Sequence, residues 1–212
     1  MAVSLEIAMR AYARAKGYVV AAGFQQEVEW QRTRHFRNFR ESDLLCEAAW
    51  VILCSGFREL AVRKVFDNIS LCFCDWESAQ CILEHTAACR STALTCFNNP
   101  QKIDAIIDVA REIRAVGFDV LRKRILADPL NELQRFPYIG PVTSIHLAKN
   151  LGWQLAKPDR HMIRLALKLG FPHPQQLCQS LAEISGDPVN VVDIVLWRYA
   201  VECQRVRNGA IC

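Results

Sequence analysis

Asp159 follows Pro158 and precedes an apolar segment with helical periodicity, for which we predict a helix over 159–169. A carboxylate at such a position can cap the helix by accepting backbone amide hydrogens, which stabilises it by roughly 0.5–2 kcal/mol. The same amides favour the ionised carboxylate at neutral pH. An ionised carboxylate can also stabilise a developing positive charge or orient an attacking water. The residues around Asp159 therefore fit a helix cap and a catalytic group, and the two roles are compatible.

A turn between two predicted helices, 129–136 and 141–151, precedes Asp159 and reads Pro137-Tyr138-Ile139-Gly140-Pro141. Pro137 ends the first helix because proline lacks an amide hydrogen and clashes with a helix interior. Pro141 suits the first position of the second helix. We expect free amides at the positive end of this helix dipole, where they could bind a phosphate oxygen; they belong to Gly140, Val142 and Thr143. Taken alone, the segment also fits a plain corner between two helices.

Residues 133–165 resemble the helix-hairpin-helix DNA glycosylase superfamily. The family's usual hairpin is Leu-Pro-Gly-Val/Ile-Gly-x-x-Thr-Ala, and here Pro137-Tyr138-Ile139-Gly140 is followed by Thr143-Ser144. The family then places an Asp in an Asp-x-His/x-Ile-x-Arg pattern. That pattern is met in outline by four residues: Asp159, His161, Ile163 and Arg164. A weaker likeness extends over 42–206, whereas 1–40 carry no motif that we recognise.

The resemblance implies an all-α, two-lobed fold with a helix-hairpin-helix motif and a cleft between the lobes. A central six-helix lobe would span about 43–155 and end in the hairpin, 129–151. Residues 1–40 and 156–212 would form the second lobe. Double-stranded DNA would bind in the cleft, where a flipped-out base would meet Asp159. The implied activity is that of a DNA N-glycosylase of the base excision repair type, which excises a damaged or modified base.

The resemblance also implies roles for individual residues. Asp159 would stabilise the oxocarbenium-like sugar and activate water. The DNA contacts would come from the hairpin and its surroundings, namely Tyr138, Ile139, Gly140, Val142, Thr143, Lys149, Arg160 and His161. Further basic residues cluster at 32–40 and at 122–124, where they fit a solvated face as well as a phosphate contact. The resemblance also allows a monovalent cation to bind at the hairpin.

The chain departs from the family pattern at several positions. Val142 occupies the place where bifunctional members carry a nucleophilic Lys, and valine cannot form a Schiff base. We therefore expect a monofunctional enzyme that uses water. Tyr138 replaces the usual Gly of the hairpin, which makes the backbone there less open. The alternatives are a non-catalytic DNA-binding protein that keeps the hairpin, and a lyase that uses another amine.

Four residues are candidates for the base pocket or for filling the gap that a flipped base leaves: Trp50, Phe57, Arg58 and Trp197. Several family members use a Gln near the central buried helix for the gap, and the matching position here is Gly56. Phe57 or Arg58 could take that role, but Phe57 equally fits a core residue and Arg58 a solvated one. Tryptophans at helical spacing are also common core residues, so Trp50 and Trp197 carry the same alternative.

The ten cysteines contain no Cys-x-x-Cys pair and no tight group of four. The nearest pair, Cys72 and Cys74, has a spacing that suits neither zinc nor an iron–sulfur cluster. Some members of the family hold such a cluster after the last helices, which Cys178, Cys203 and Cys212 cannot supply. We expect reduced, buried thiols, no metal, no iron–sulfur centre and no other cofactor.

Apolar periodicity is helical along nearly the whole chain, and no segment alternates convincingly with period two. Helices are also predicted over 4–16, 25–37, 42–55, 59–69, 76–90, 100–116, 121–126, 174–184 and 188–206. Hydrophobic residues make up 51% of the 212, enough for a sizeable core, and the net charge of +4 permits a nucleic-acid partner without demanding one. No apolar run approaches the length of a membrane span, and we expect a monomeric, intracellular protein, cytoplasmic or nucleoid-associated.

Overall fold

The computed structural model describes the backbone of residues 2–209 and the side chains of residues 5–204. Within this part of the chain the structure is all-helical and contains no strand. In chain order the helices are α1 Ala2–Ala21, α2 Gln25–Thr33, α3 Glu41–Cys54, α4 Glu59–Cys72, α5 Ala79–Glu84, α6 Thr86–Cys96, α7 Pro100–Val116, α8 Phe118–Ala127, α9 Pro129–Leu133, α10 Pro141–Asn150, α11 Arg160–Lys168, α12 Pro174–Ser185 and α13 Val189–Gly209, with a 3₁₀ turn at Cys74–Trp76. None of the described helices combines the length and apolarity that a membrane span requires. The all-α prediction is confirmed.

The chain divides into two compact units, and the first comprises Met1–His35 with Gly152–Cys212. Its central helix is α13, which packs against α1, α2, α11 and α12. The apolar face of α1 is fully buried and repeats every three or four residues, at Ala8, Tyr12, Ala15 and Val19. The predicted capping side chain of the first helix, Ser4, lies outside the described side chains.

Ionic groups inside the first unit are paired. Asp187 is 6% exposed and accepts hydrogen bonds from Tyr12 (2.7 Å), Lys16 (2.6 Å) and Arg32 (2.7 Å). Burial alone raises the pKa of Asp187, but these three donors outweigh it and lower the pKa to about 2. The carboxylate is therefore charged in the folded protein and joins α1, α2 and the segment before α13.

The second unit is Phe36–Leu151 and contains α3 to α10. Helix α3 packs against α4, α7 and α10, and it is buried on most of its surface, as its nearly all-apolar sequence predicts. Helix α7 begins at Pro100 after the capping residue Asn99, whose side chain accepts the Lys102 amide at 3.2 Å. Its predicted inner stripe is buried at every position: Ile103, Ile106, Ile107, Ala110 and Ile113.

The single helix predicted over 76–90 is wrong. Cys74, Asp75 and Trp76 all have positive φ, at 55°, 49° and 62°, so they form a left-handed turn. Helix α5 then begins after Ser78, whose hydroxyl accepts the Cys81 amide at 3.1 Å. A break at His85 separates α5 from α6. Apolar spacing could not reveal this turn, because no glycine or proline marks it.

Candidate active site and hairpin

The carboxylate of Asp159 caps α11. Its Oδ1 accepts the backbone amides of His161 at 2.9 Å and Met162 at 3.0 Å. The backbone of Asp159 is extended (φ −82°, ψ 172°), as expected for a residue just before a helix. The capping interpretation is therefore confirmed, and the catalytic interpretation stays a prediction.

A third donor holds the other oxygen of Asp159. The indole Nε1 of Trp197, on α13, donates to Asp159 Oδ2 at 2.8 Å. A carboxylate offers about four acceptor positions, two on each oxygen. Oδ1 uses both and Oδ2 uses one, so one acceptor position on Oδ2 remains for a water or a ligand. Both side chains are half-buried.

A half-buried side chain of α12 and a buried side chain of α13 hold the segment that leads to Asp159. Asp193 is 1% exposed and its Oδ1 accepts the Lys157 amide at 2.9 Å. Gln175 accepts the Ala156 amide at 2.7 Å. The irregular backbone before α11 is therefore fixed at two points besides Trp197. Sequence reasoning missed these positioning roles, since a polar residue inside an apolar helix has no characteristic spacing.

His161 lies beside Asp159 in an unusual environment. Its Nδ1 is buried without a hydrogen-bond partner, while its Nε2 accepts from Arg160 Nε at 3.3 Å. Burial lowers the pKa of His161, and the nearby cations act in the same direction against the opposing charge of Asp159. The imidazole is therefore neutral at pH 7 and carries its hydrogen on Nδ1.

Helix α11 carries a row of exposed cations. Arg160, Arg164 and Lys168 follow one another at intervals of four residues, and all three are exposed. This spacing places them on one face of the helix. The row provides a positively charged strip whose first member, Arg160, directly follows Asp159.

The hairpin joins α9 to α10 within the second unit. Pro141 is the first residue of α10, as predicted. The amide of Gly140 is not free, because it donates to Thr143 Oγ1 at 2.6 Å; the expectation of an open Gly140 amide is wrong. In the part of the chain that the structure describes, no group accepts the amides of Val142 and Thr143. Two of the three expected amides therefore remain available to an anion.

Tyr138 occupies the hairpin position where the family pattern has Gly, and its φ is +63°. The residue is 40% exposed, and its hydroxyl donates to Gln101 Oε1 at 3.2 Å. The ammonium of Lys102 lies 4.8 Å from the centre of this ring and also donates to the carbonyl of Ile52. Burial lowers the pKa of Lys102 to about 8. This cation–π contact helps to hold a tyrosine in a conformation that favours glycine.

Two predicted DNA contacts have buried side chains. Lys149 is 3% exposed within α10; this burial disfavours the predicted phosphate contact, which stays a prediction. Ile139 is 4% exposed and could contribute only its backbone. Lys149 lies on the buried side of α10, and Ile139 lies in the turn before this helix, where its side chain is buried in the second unit. Val142 is 42% exposed and Thr143 half-buried, so both side chains reach the surface.

The candidates for the base pocket or the wedge are divided between the two units. Phe57 is 44% exposed, so it is not a core residue; it contacts Phe97 at a ring-centre distance of 5.1 Å. Arg58 is exposed beside it. Trp50 is half-buried on α3 and packs edge-on against Phe66 at 5.0 Å. Trp197 belongs to the first unit, where it hydrogen-bonds Asp159.

The cysteines differ from the expected set of buried thiols. None of the nine that the structure describes is in a disulfide, and only Cys89 and Cys178 among them are buried. Cys212 lies outside the described residues. One ligand atom from each of Cys74, Cys81 and His85 lies within 4.8 Å of the others. Cysteine spacing did not reveal this group, because the sequence contains no Cys-x-x-Cys pair and only folding brings Cys74 to the Cys81-x₃-His85 pair.

Comparisons of this chain with models of protein families, with curated proteins and with solved structures found no match.

Proposed function

We propose that this protein is a monofunctional DNA N-glycosylase in which Asp159 acts on the sugar of a flipped-out damaged or modified base. The observation that carries the proposal is the carboxylate of Asp159, which three N–H groups hold while one acceptor position on Oδ2 stays open. A carboxylate held in this way is already oriented before substrate binds, which is the requirement for electrostatic catalysis.

The proposed reaction breaks the bond between the sugar C1′ and the base nitrogen, and the base leaves with the bonding electron pair. The sugar becomes oxocarbenium-like, and the negative charge of Asp159 stabilises it. A water molecule that donates a hydrogen bond to Oδ2 then forms the new C1′–O bond. Its released proton passes to Asp159 and then to the departing base or to solvent, so the products are a free base and an abasic sugar.

Two surfaces support a DNA partner. In the second unit, the amides of Val142 and Thr143 open from the positive end of α10, which favours a phosphate oxygen. In the first unit, the exposed cations of α11 follow Asp159 directly. Phosphate contacts of this kind fix the position of a protein on DNA without reading its sequence. The specificity for the excised base therefore depends on the pocket that receives the flipped-out base.

The residue at the family's nucleophile position and two buried lysines of the second unit favour water as the nucleophile. Val142 stands where a Schiff-base lysine would be needed, and Lys149 is buried. Lys102 is also buried, and its ammonium donates to the carbonyl of Ile52. Borohydride trapping with a substrate duplex should therefore yield no covalent protein–DNA product; a trapped product would identify a lyase instead.

The alternative is a DNA-binding protein without catalytic activity, and the observed cap of α11 favours it in one respect. Capping by itself accounts for both hydrogen bonds to Asp159 Oδ1. It does not account for the Trp197 donor at Oδ2. The two functions are separated by incubating the protein with duplexes that each carry one damaged or modified base. Release of a base supports the enzyme; binding without release from any duplex supports the alternative.

A further inference from the structure

The second unit brings together three soft ligands far from Asp159 in sequence, Cys74, Cys81 and His85, and Cys89 lines the same concavity as Cys74 and His85. Cys81, His85 and Cys89 are spaced by four residues. The amide of His85 donates to Cys81 O at 3.3 Å, and the amide of Cys89 donates to His85 O at 2.9 Å. These two bonds keep the i to i−4 spacing on either side of the break at His85. Cys81 Sγ lies 4.0 Å from His85 Nδ1, and Cys89 lines the same concavity as His85.

The left-handed turn brings Cys74 to Cys81 and His85. Three consecutive residues with positive φ cost about 1–2 kcal/mol each, so the turn needs support from its surroundings. Trp76 supplies it: the side chain is 3% exposed, its Nε1 donates to Ser70 Oγ at 2.8 Å, and its ring stacks on Phe73 at 5.3 Å. The fold therefore holds Cys74 in place.

The ligand atoms are close enough to share one ion. Those of Cys74, Cys81 and His85 lie within 4.8 Å of one another. The Cys89 thiol is outside this set of three and donates to the carbonyl of Ile82 at 4.0 Å, but it lines the same concavity as Cys74 and His85. In a tetrahedral zinc site the ligand atoms are about 3.5–3.8 Å apart, as metal–sulfur bonds of about 2.3 Å require. Small side-chain rotations bring the ligand atoms from within 4.8 Å of one another to the shorter separations of a zinc site.

His85 is suited to this set. Its Nδ1 lies 2.9 Å from the carbonyl oxygen of Cys81, and since a carbonyl can only accept, Nδ1 is the protonated nitrogen there. The lone pair is then on Nε2, in the arrangement in which a backbone carbonyl fixes the tautomer of a ligating histidine. Because Nδ1 is the nitrogen that lies 4.0 Å from Cys81 Sγ, the ring must turn to bring Nε2 to the ion. An open concavity lined in part by Cys74, His85 and Cys89 gives an ion access from solvent.

We propose that Cys74, Cys81 and His85, with Cys89 as the fourth donor, form a site for a borderline-soft divalent ion of the Zn²⁺ class. Three thiolates and one imidazole are a donor set typical of structural zinc. Each coordinated thiol releases one proton when the ion binds. The ion ties the left-handed turn to α5 and α6 and stabilises the second unit. This inference is independent of the proposed glycosylase activity.

The test titrates Co²⁺ into the full-length, metal-free protein under a non-coordinating reductant. We expect one equivalent of tightly bound Co²⁺ with the absorption of a tetrahedral thiolate complex, and its displacement by one equivalent of Zn²⁺. Zn²⁺ should also raise the melting temperature of the wild type. Cys81→Ser and His85→Ala should each weaken binding by at least about 100-fold, the upper end of second-shell effects, and abolish the thermal shift.

Cys46→Ser and His146→Ala serve as matched controls, because both residues are half-buried in the same unit outside the cluster. Both controls should bind Co²⁺ as the wild type does. Circular dichroism of each metal-free variant verifies that its helices are intact. The proposal is overturned if the wild type binds no stoichiometric ion, if both cluster variants bind as the wild type does, or if Cys74 and Cys81 form a disulfide under reductant.

Discussion

The indole Nε1 of Trp197 donates to Asp159 Oδ2 at 2.8 Å, so a residue of α13 fixes the carboxylate that caps α11. The two residues are 38 positions apart in the sequence. Capping needs only the amides of His161 and Met162, which occupy the other oxygen. The contact with Trp197 is therefore the feature that a cap alone does not require, and it can be tested separately.

Replacement of Trp197 by Phe removes the N–H donor and keeps an aromatic ring. A hydrogen bond to a charged group contributes about 1.5–3 kcal/mol. If Asp159 must be held in position for catalysis, we expect base release under saturating protein to slow by about 10- to 100-fold, with little change in DNA affinity. Single-turnover kinetics measures the first quantity and a binding titration the second.

Trp30→Phe is the matched control, since Trp30 is also half-buried in the first unit but contacts Arg34 instead of Asp159. Its rate of base release should equal that of the wild type. Equal rates in the Trp197 and Trp30 variants would remove the positioning role that we assign to Trp197.

Gly140→Ala tests the hairpin. A Cβ at Gly140 meets nothing within 4 Å, and φ is −98°, which any residue adopts. We expect the free energy of unfolding to change by less than about 0.5 kcal/mol, as for ordinary surface positions. The added methyl group projects into the space that a phosphate would approach, so DNA affinity should fall. Gly17→Ala, which is equally open within α1, is the control. An unchanged affinity in both variants would argue against a phosphate at the hairpin.

Arg160→Gln tests the row of cations on α11. If Arg160 neutralises one phosphate, the slope of log K against log salt concentration should become shallower by about 0.9. The control is Arg10→Gln, because Arg10 is exposed in the same unit but pairs with Glu6 at 2.6 Å. Binding titrations at several salt concentrations give both slopes. Identical slopes for the wild type and the Arg160 variant would exclude this contact.

Asp187→Asn tests the ionic anchor of the first unit. The pKa of Asp187 is lowered from 3.8 to about 2, so its stabilising contribution is complete above pH 3.8 and is lost as the pH falls through about 2. We expect the substitution to cost about 2 kcal/mol at pH 7. The difference from the wild type should shrink between pH 4 and pH 2. Urea unfolding at each pH measures it.

Asp108→Asn is the comparison for Asp187, since Asp108 forms an exposed pair with Arg111. Such pairs contribute roughly 0–1 kcal/mol. A loss of stability at Asp187 that does not depend on pH would mean that packing, and not charge, explains it.

The helices were largely predictable from the sequence because apolar spacing and local punctuation determine them. Pro100 and Gly117 bound α7, and Pro141 begins α10. The cap at Asp159 was predictable for the same reason, since its acceptor and donors are adjacent in sequence. Contacts that span many residues left no such signal. Trp197 reaches Asp159, and Asp193 reaches Lys157, only after α13 has packed.

Burial was the other property that local pattern did not provide. Lys149 has the residue type of a phosphate contact, yet its position on α10 faces inward. The cysteines show the opposite error, because seven of the nine described are half-buried. The left-handed turn at Cys74 contains neither glycine nor proline. The sequence spacing therefore did not show that this turn brings Cys74 close to Cys81.

The central claim is tested most directly by base release from a substrate duplex by the wild type and by Asp159→Asn, with DNA binding measured in parallel. Asn caps helices about as well as Asp, so α11 and the fold should persist. We predict that the wild type releases the base, and that the variant binds the same duplex but releases the base at least about 100-fold more slowly. Equal release by both proteins, or binding of every duplex by the wild type without release, would contradict the account.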